Sequence, residues 1–121
     1  MTPNLRGNAW MGPAAAKDLH GLLDVLRDEF KAETFIFASG SMGGTSNLIY
    51  AVVHPEDVAG VVARCPASDL TTYHRWCREH QQGRAVIREI ADAIEHAYGG
   101  PPAENPALYD EHSPQKRAQA V

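Results

Sequence analysis

The stretch FIFASGSMGGTSNLIYAVVHP, residues 35–55, constrains the fold more than any other part of the chain. Residues 34–38 are short, aromatic and β-branched, and apolar on both faces. Such a run suits a central parallel strand covered by helices on both sides. It stops at a small-residue turn, Ser39-Gly40-Ser41-Met42-Gly43-Gly44. A helix is then expected over 42–53, ending before His54-Pro55 because the residue preceding a proline avoids the helical region. A second run, VAGVVARC at 58–65, has the same two-faced apolar character.

The flanking segments extend this pattern. Pro13 sits where the first turn of a helix tolerates proline. Leu19, Leu22, Leu23, Leu26 and Phe30 form one apolar stripe at helical spacing, which predicts a helix over about 13–31. Helix, strand, helix, strand is the alternation of an α/β protein with a parallel sheet. Further on, Ser68 or Asp69 can cap a short helix. Ile87, Ile90, Ala91, Ile94 and Ala97 mark another helix over about 84–98, which Gly99-Gly100 and Pro101-Pro102 end. Asn105-Pro106 opens a short turn or helix through Tyr109, and the polar end SPQKRAQAV carries no strand. Two strands make a poor sheet, with unpaired edges and apolar faces left over.

Composition removes several classes of function. The chain has 121 residues, 44% of them hydrophobic and 21% charged, as in an ordinary globular domain. A net charge of −4 and the lack of a basic stripe disfavour nucleic acid as a partner. No apolar run approaches the ~20 residues that span a bilayer, so no membrane partner is expected. The first residues, MTPNLRGNAWMGP, lack the apolar core of a signal peptide, so the reading is cytoplasmic. Cys65 and Cys77 form no CxxC pair and read as free thiols.

The turn at Ser41 is the main candidate for chemistry. A serine hydroxyl is a weak nucleophile and needs a base beside it. Some hydrolases place it at a sharp strand-to-helix turn with the pattern Gly-x-Ser-x-Gly. That turn exposes the oxygen and sets helix N-terminal N–H groups beside the developing oxyanion. Here the frame is Ser39-Gly40-Ser41-Met42-Gly43, with Gly44 following and serine at the first small position. The alternative is a plain strand-to-helix loop in which Ser39 or Ser41 caps the helix and Gly40, Gly43 and Gly44 relieve crowding. A phosphate-binding loop is disfavoured, since neither Gly-x-Gly-x-x-Gly nor Gly-Lys-Ser/Thr is present.

Three segments, RGNAWMGPAAAKDLHGLLDVLRDEF, the stretch from FIFASGSMGG to PASDL, and YGGPPAENPALYDEHSP, together resemble the catalytic domain of α/β-hydrolases of the prolyl oligopeptidase-like family. That family comprises serine peptidases and related esterases. The resemblance implies a partial α/β-hydrolase fold over 1–121, with parallel strands flanked by helices. It implies Ser41 as nucleophile and the Met42 backbone N–H as one oxyanion donor, with an ester or peptide as substrate and no cofactor. The family's acid and histidine follow strands downstream of the Ser-Pro matched here by Ser113-Pro114, so the 121 residues are expected to be a slice carrying the nucleophile only.

Stand-ins for the missing groups are few. His74 with Asp69 as its acid is one pair, and His112 with Asp110 is another. His54 stands about 18 Å from the serine at ~1.5 Å per helical residue. Each of the six histidines otherwise reads as a surface or helix-end residue, and Asp69 as a helix cap. No His/Cys/Asp/Glu group has metal-ligand spacing, so no metal is expected. Trp10, Tyr73, Trp76 and Tyr98 could line a cleft or sit in a core. The rival reading is a non-catalytic module that pairs with a partner, or with itself as a homo-oligomer, through exposed sheet edges.

Overall fold

A computed structural model describes residues 1–120; Val121 lies outside the described residues. The chain is mixed α/β, about 60% helical, around a two-stranded parallel sheet. Helix α1 covers Pro13–Phe30, β1 Ile36–Gly40, α2 Ser41–Val53, β2 Gly60–Arg64, α3 Leu70–His80, α4 Ala85–Tyr98, α5 Pro106–Glu111 and α6 Pro114–Arg117. Short 3-10 turns occupy Pro55–Asp57 and Ala118–Ala120. The strands pair from Ile36 opposite Gly60 to Gly40 opposite Arg64.

Strand β1 lies two residues later than its apolar residues predict. Hydrogen-bonded pairing, not side-chain hydrophobicity, sets its end, so Ser39 and Gly40 are strand residues up to the turn. The sheet is also covered on one face only, which corrects the expectation of burial on both. Helix α2 lies over the Phe37, Ser39 and Ala63 side: Phe37 packs on Tyr50, and Gly44 approaches Ala63. Alternation puts Ile36 and Val62 on the opposite side, where they are 68% and 64% exposed. No described element covers that side.

The core lies among the helices. Leu19 and Leu23 of α1, Ile49 and Tyr50 of α2, Leu70 of α3 and Ile94 of α4 are buried together. Phe30 departs from its stripe: it is the last residue of α1, projects past the core and is 71% exposed. Gly12 lets α1 meet α4, because a Cβ there would sit 2.6 Å from the Ala97 carbonyl oxygen. Trp10 and Tyr98 are core residues, the Tyr98 hydroxyl donating to the Trp10 carbonyl at 2.9 Å. No described helix is long and apolar enough to cross a membrane.

Candidate functional site

The turn between β1 and α2 is built from small residues, two of which, Gly43 and Gly44, leave little or no room for a side chain. Ser41 has φ +53°, left-handed for a residue with a side chain, and it is exposed. Such a backbone costs on the order of 1–2 kcal/mol and persists only when its surroundings enforce it. The surroundings here are the strand pairing on one side and the close seat of α2 on the other. A Cβ at Gly43 would collide with the Ser39 side chain, and one at Gly44 would come within 3.3 Å of the Ser39 carbonyl oxygen and 3.4 Å of that of Arg64. Gly40 is less constrained, with only ordinary contacts to Arg64. Gly40 occupies the N-cap position of α2 and no side chain caps the helix, so neither Ser39 nor Ser41 serves as its cap. The N–H groups of the first turn, that of Met42 among them, have no partners within the helix and carry its positive dipole end.

Cys65 follows β2 as Ser41 follows β1. It too has a positive φ, +51°, and is exposed. Gly40 and Arg64 are the last register pair, so Ser41 and Cys65 each follow it by one residue, at the same end of the sheet. The loop after Cys65 is tied to α2 by the Ala67 N–H, which donates to buried Thr45 Oγ1 at 2.7 Å. A cavity of about 640 Å³ runs along the free edge of β1, bordered by Leu22 and Leu26 of α1, Phe37 and Ser39, and Met42 and Gly43 of α2.

Five of the six histidines are engaged elsewhere. His74 is buried, not on the surface, and its Nε2 lies 2.6 Å from Glu95 Oε1, which Arg78 also binds. Asp69 caps α3 through the Thr71 and Thr72 N–H groups, so it does not orient His74. His112 is likewise buried: its Nδ1 lies 3.0 Å from the Leu108 carbonyl oxygen and its Nε2 has no partner. Asp110 pairs with Lys116 and not with His112. His80 bonds the Trp76 carbonyl, and His96 is exposed on α4. No described histidine is hydrogen-bonded to Ser41.

A second cluster, invisible in sequence spacing, forms at the opposite end of α2. His20 of α1 and His54, which ends α2, stack with centroids 4.7 Å apart. Asp57, buried in the 3-10 turn, accepts from Tyr50 at 2.6 Å, from Arg27 at 2.5 Å, and lies 2.8 Å from His20 Nδ1. Burial alone would raise the Asp57 pKa; the three hydrogen bonds outweigh it and hold the carboxyl at about 2. The hydrogen bond to Asp57 pushes His20 upward. The residues are 34 and 3 apart in the chain, so only the tertiary packing of α1 against the end of α2 brings them together. Comparisons of the chain with protein-family models, with curated proteins and with solved structures find no match.

Proposed function

We propose that this chain is the nucleophile-bearing part of an α/β-hydrolase that cleaves an ester or peptide bond through an acyl-enzyme on Ser41. The observation that carries the reading is the left-handed Ser41 between a parallel strand and a helix N-terminus, closed in by Gly43 and Gly44. In the proposed step Ser41 Oγ attacks the acyl carbon and gives its proton to a base, and the Met42 N–H stabilises the oxyanion. The alcohol or amine leaves with that proton, and water then releases the acid. In this reading the base and its acid come from outside residues 1–120, since no described histidine is hydrogen-bonded to Ser41. The chain alone therefore has little turnover: without the base only oxyanion and binding effects remain.

The test begins with the source DNA on both sides of the 121-codon frame. The expected continuation is a strand, an aspartate and a loop bearing histidine. The longer chain should hydrolyse p-nitrophenyl acetate and lose that activity on Ser41→Ala. Hydrolysis that survives Ser41→Ala defeats the reading. So does brisk Ser41-dependent turnover by the 121 residues alone, which would place the base within them.

The exposed Ile36 and Val62 favour one other reading, a module that self-associates through its bare sheet face. Gel filtration separates the two. A dimer that reverts to monomer on Val62→Lys supports the module, and a monomer at every concentration removes it.

A further inference from the structure

We propose that His20, His54 and Asp57 form a binding site for a divalent transition-metal ion, zinc being the probe of choice. One donor atom from each residue lies within 4.8 Å of the others. The three come from three different elements, α1, the end of α2 and the 3-10 turn, so the ion would clasp the segment after α2 onto α1.

The charge balance favours a cation. Asp57, Asp24 and Glu56 surround the two imidazoles: Asp24 is 3.9 Å from His20 Nε2, and Glu56 is 3.3 Å from His54 Nδ1. Arg27 is the one guanidinium in the cluster, paired with Asp57 and Asp24. Three carboxylates against one guanidinium leave two negative charges, which a divalent ion cancels. Two imidazoles with carboxylate oxygen suit zinc, nickel, cobalt or copper better than magnesium or calcium.

The geometry is close to what such an ion needs. Bonds near 2.0–2.1 Å in a tetrahedral site put ligand atoms about 3.4 Å apart. His20 and Asp57 are already closer than that, and His54 is the ligand that must move, by roughly 1 Å. Its hydrogen bond goes only to the exposed Glu56, so the move costs that bond and a shift in its stacking on His20 and Tyr50. The group supplies three ligands, and the fourth position of a tetrahedral site is open to water. Tyr50 donates to Asp57 Oδ2 and Arg27 to Oδ1, and such outer partners orient a metal-binding carboxylate. The site lies a full helix length from Ser41, about 18 Å at ~1.5 Å per residue, and does not depend on the hydrolase reading.

The experiment is calorimetric titration of the tag-free, chelator-treated chain with zinc chloride, with circular dichroism to confirm folding. One zinc per chain is expected, together with a raised Tm. His54→Ala and His20→Ala should each weaken binding about tenfold or more, while His80→Ala and Ser41→Ala leave it unchanged. Should His20→Ala fail to fold, His54→Ala carries the test, since His54 bonds only to Glu56. Zinc binding that is indifferent to His54→Ala, or no saturable binding up to about 1 mM, overturns the proposal.

Discussion

The Ser39 side chain fills the space that a Cβ on Gly43 would occupy. The hydroxyl can rotate away, but the Ser39 Cβ would still stand 3.0 Å from the new methyl group. Gly43→Ala should therefore cost about 1–3 kcal/mol by overpacking, read as a lower denaturation midpoint. Adding Ser39→Gly removes the obstacle, so the double variant should recover most of that loss. A strictly additive double variant would show that the two positions do not share this space.

Ser41 itself is a strained position. Glycine adopts a positive φ freely, whereas alanine suffers the same backbone strain as serine. Ser41→Gly should be more stable than Ser41→Ala by about 1 kcal/mol, both by urea denaturation. Equal stability would mean that the backbone relaxes out of the left-handed region once the hydroxyl is gone.

Glu95 joins α4 to α3, meeting His74 Nε2 at 2.6 Å and Arg78 at 2.7 Å. The pairing outweighs burial and lowers the Glu95 pKa. Glu95→Ala strands the buried His74, while Arg78 keeps Asp92 and Gln81 as partners, so a loss of roughly 1–3 kcal/mol is expected, most of it from the histidine. Glu95→Gln keeps a hydrogen-bond acceptor and should lose less. Thermal melts of the two variants side by side make the comparison.

His112 gives stability a particular pH dependence. Burial depresses its pKa from the ordinary 6.5, so it stays neutral in the fold where the unfolded chain takes a proton. Its contribution is fully present above pH 6.5 and is lost as pH falls from there toward its folded value. His20 has the opposite sign: its raised pKa adds stability below pH 6.5 that disappears as pH rises through the folded value. In His112→Leu the loss below pH 6.5 should shrink, leaving the His20 gain exposed. Urea midpoints at several pH values between 5 and 8 measure both slopes. An unchanged acid slope in His112→Leu would exclude His112 as its source.

Much of the framework was legible from local pattern. The stripe from Leu19 to Leu26 and the Gly99-Gly100 stop place α1 and α4 to within a residue or two of their observed ends, and His54-Pro55 ends α2 as expected. Local pattern fails where distant parts meet. Apolar character told that Val62 suits a strand, but not that nothing described would cover its face. His74 and His112 read as surface residues because histidine is polar; Glu95 and the Leu108 carbonyl, which hold them in the interior, are 21 and 4 positions away. The His20, His54 and Asp57 group has no spacing signature, since a helix packing against the end of another creates it.

The placement of Ser41 and Cys65 just past the same end of two neighbouring strands equips the chain with a built-in reporter. Cys65 is exposed, whereas Cys77 is buried with its thiol pushed up by desolvation. A maleimide dye should thus label one site without any engineering, at the same end of the sheet as the candidate nucleophile. Its emission would register whatever approaches Ser41, from solvent to an acylating compound, in real time and without a substrate that changes colour.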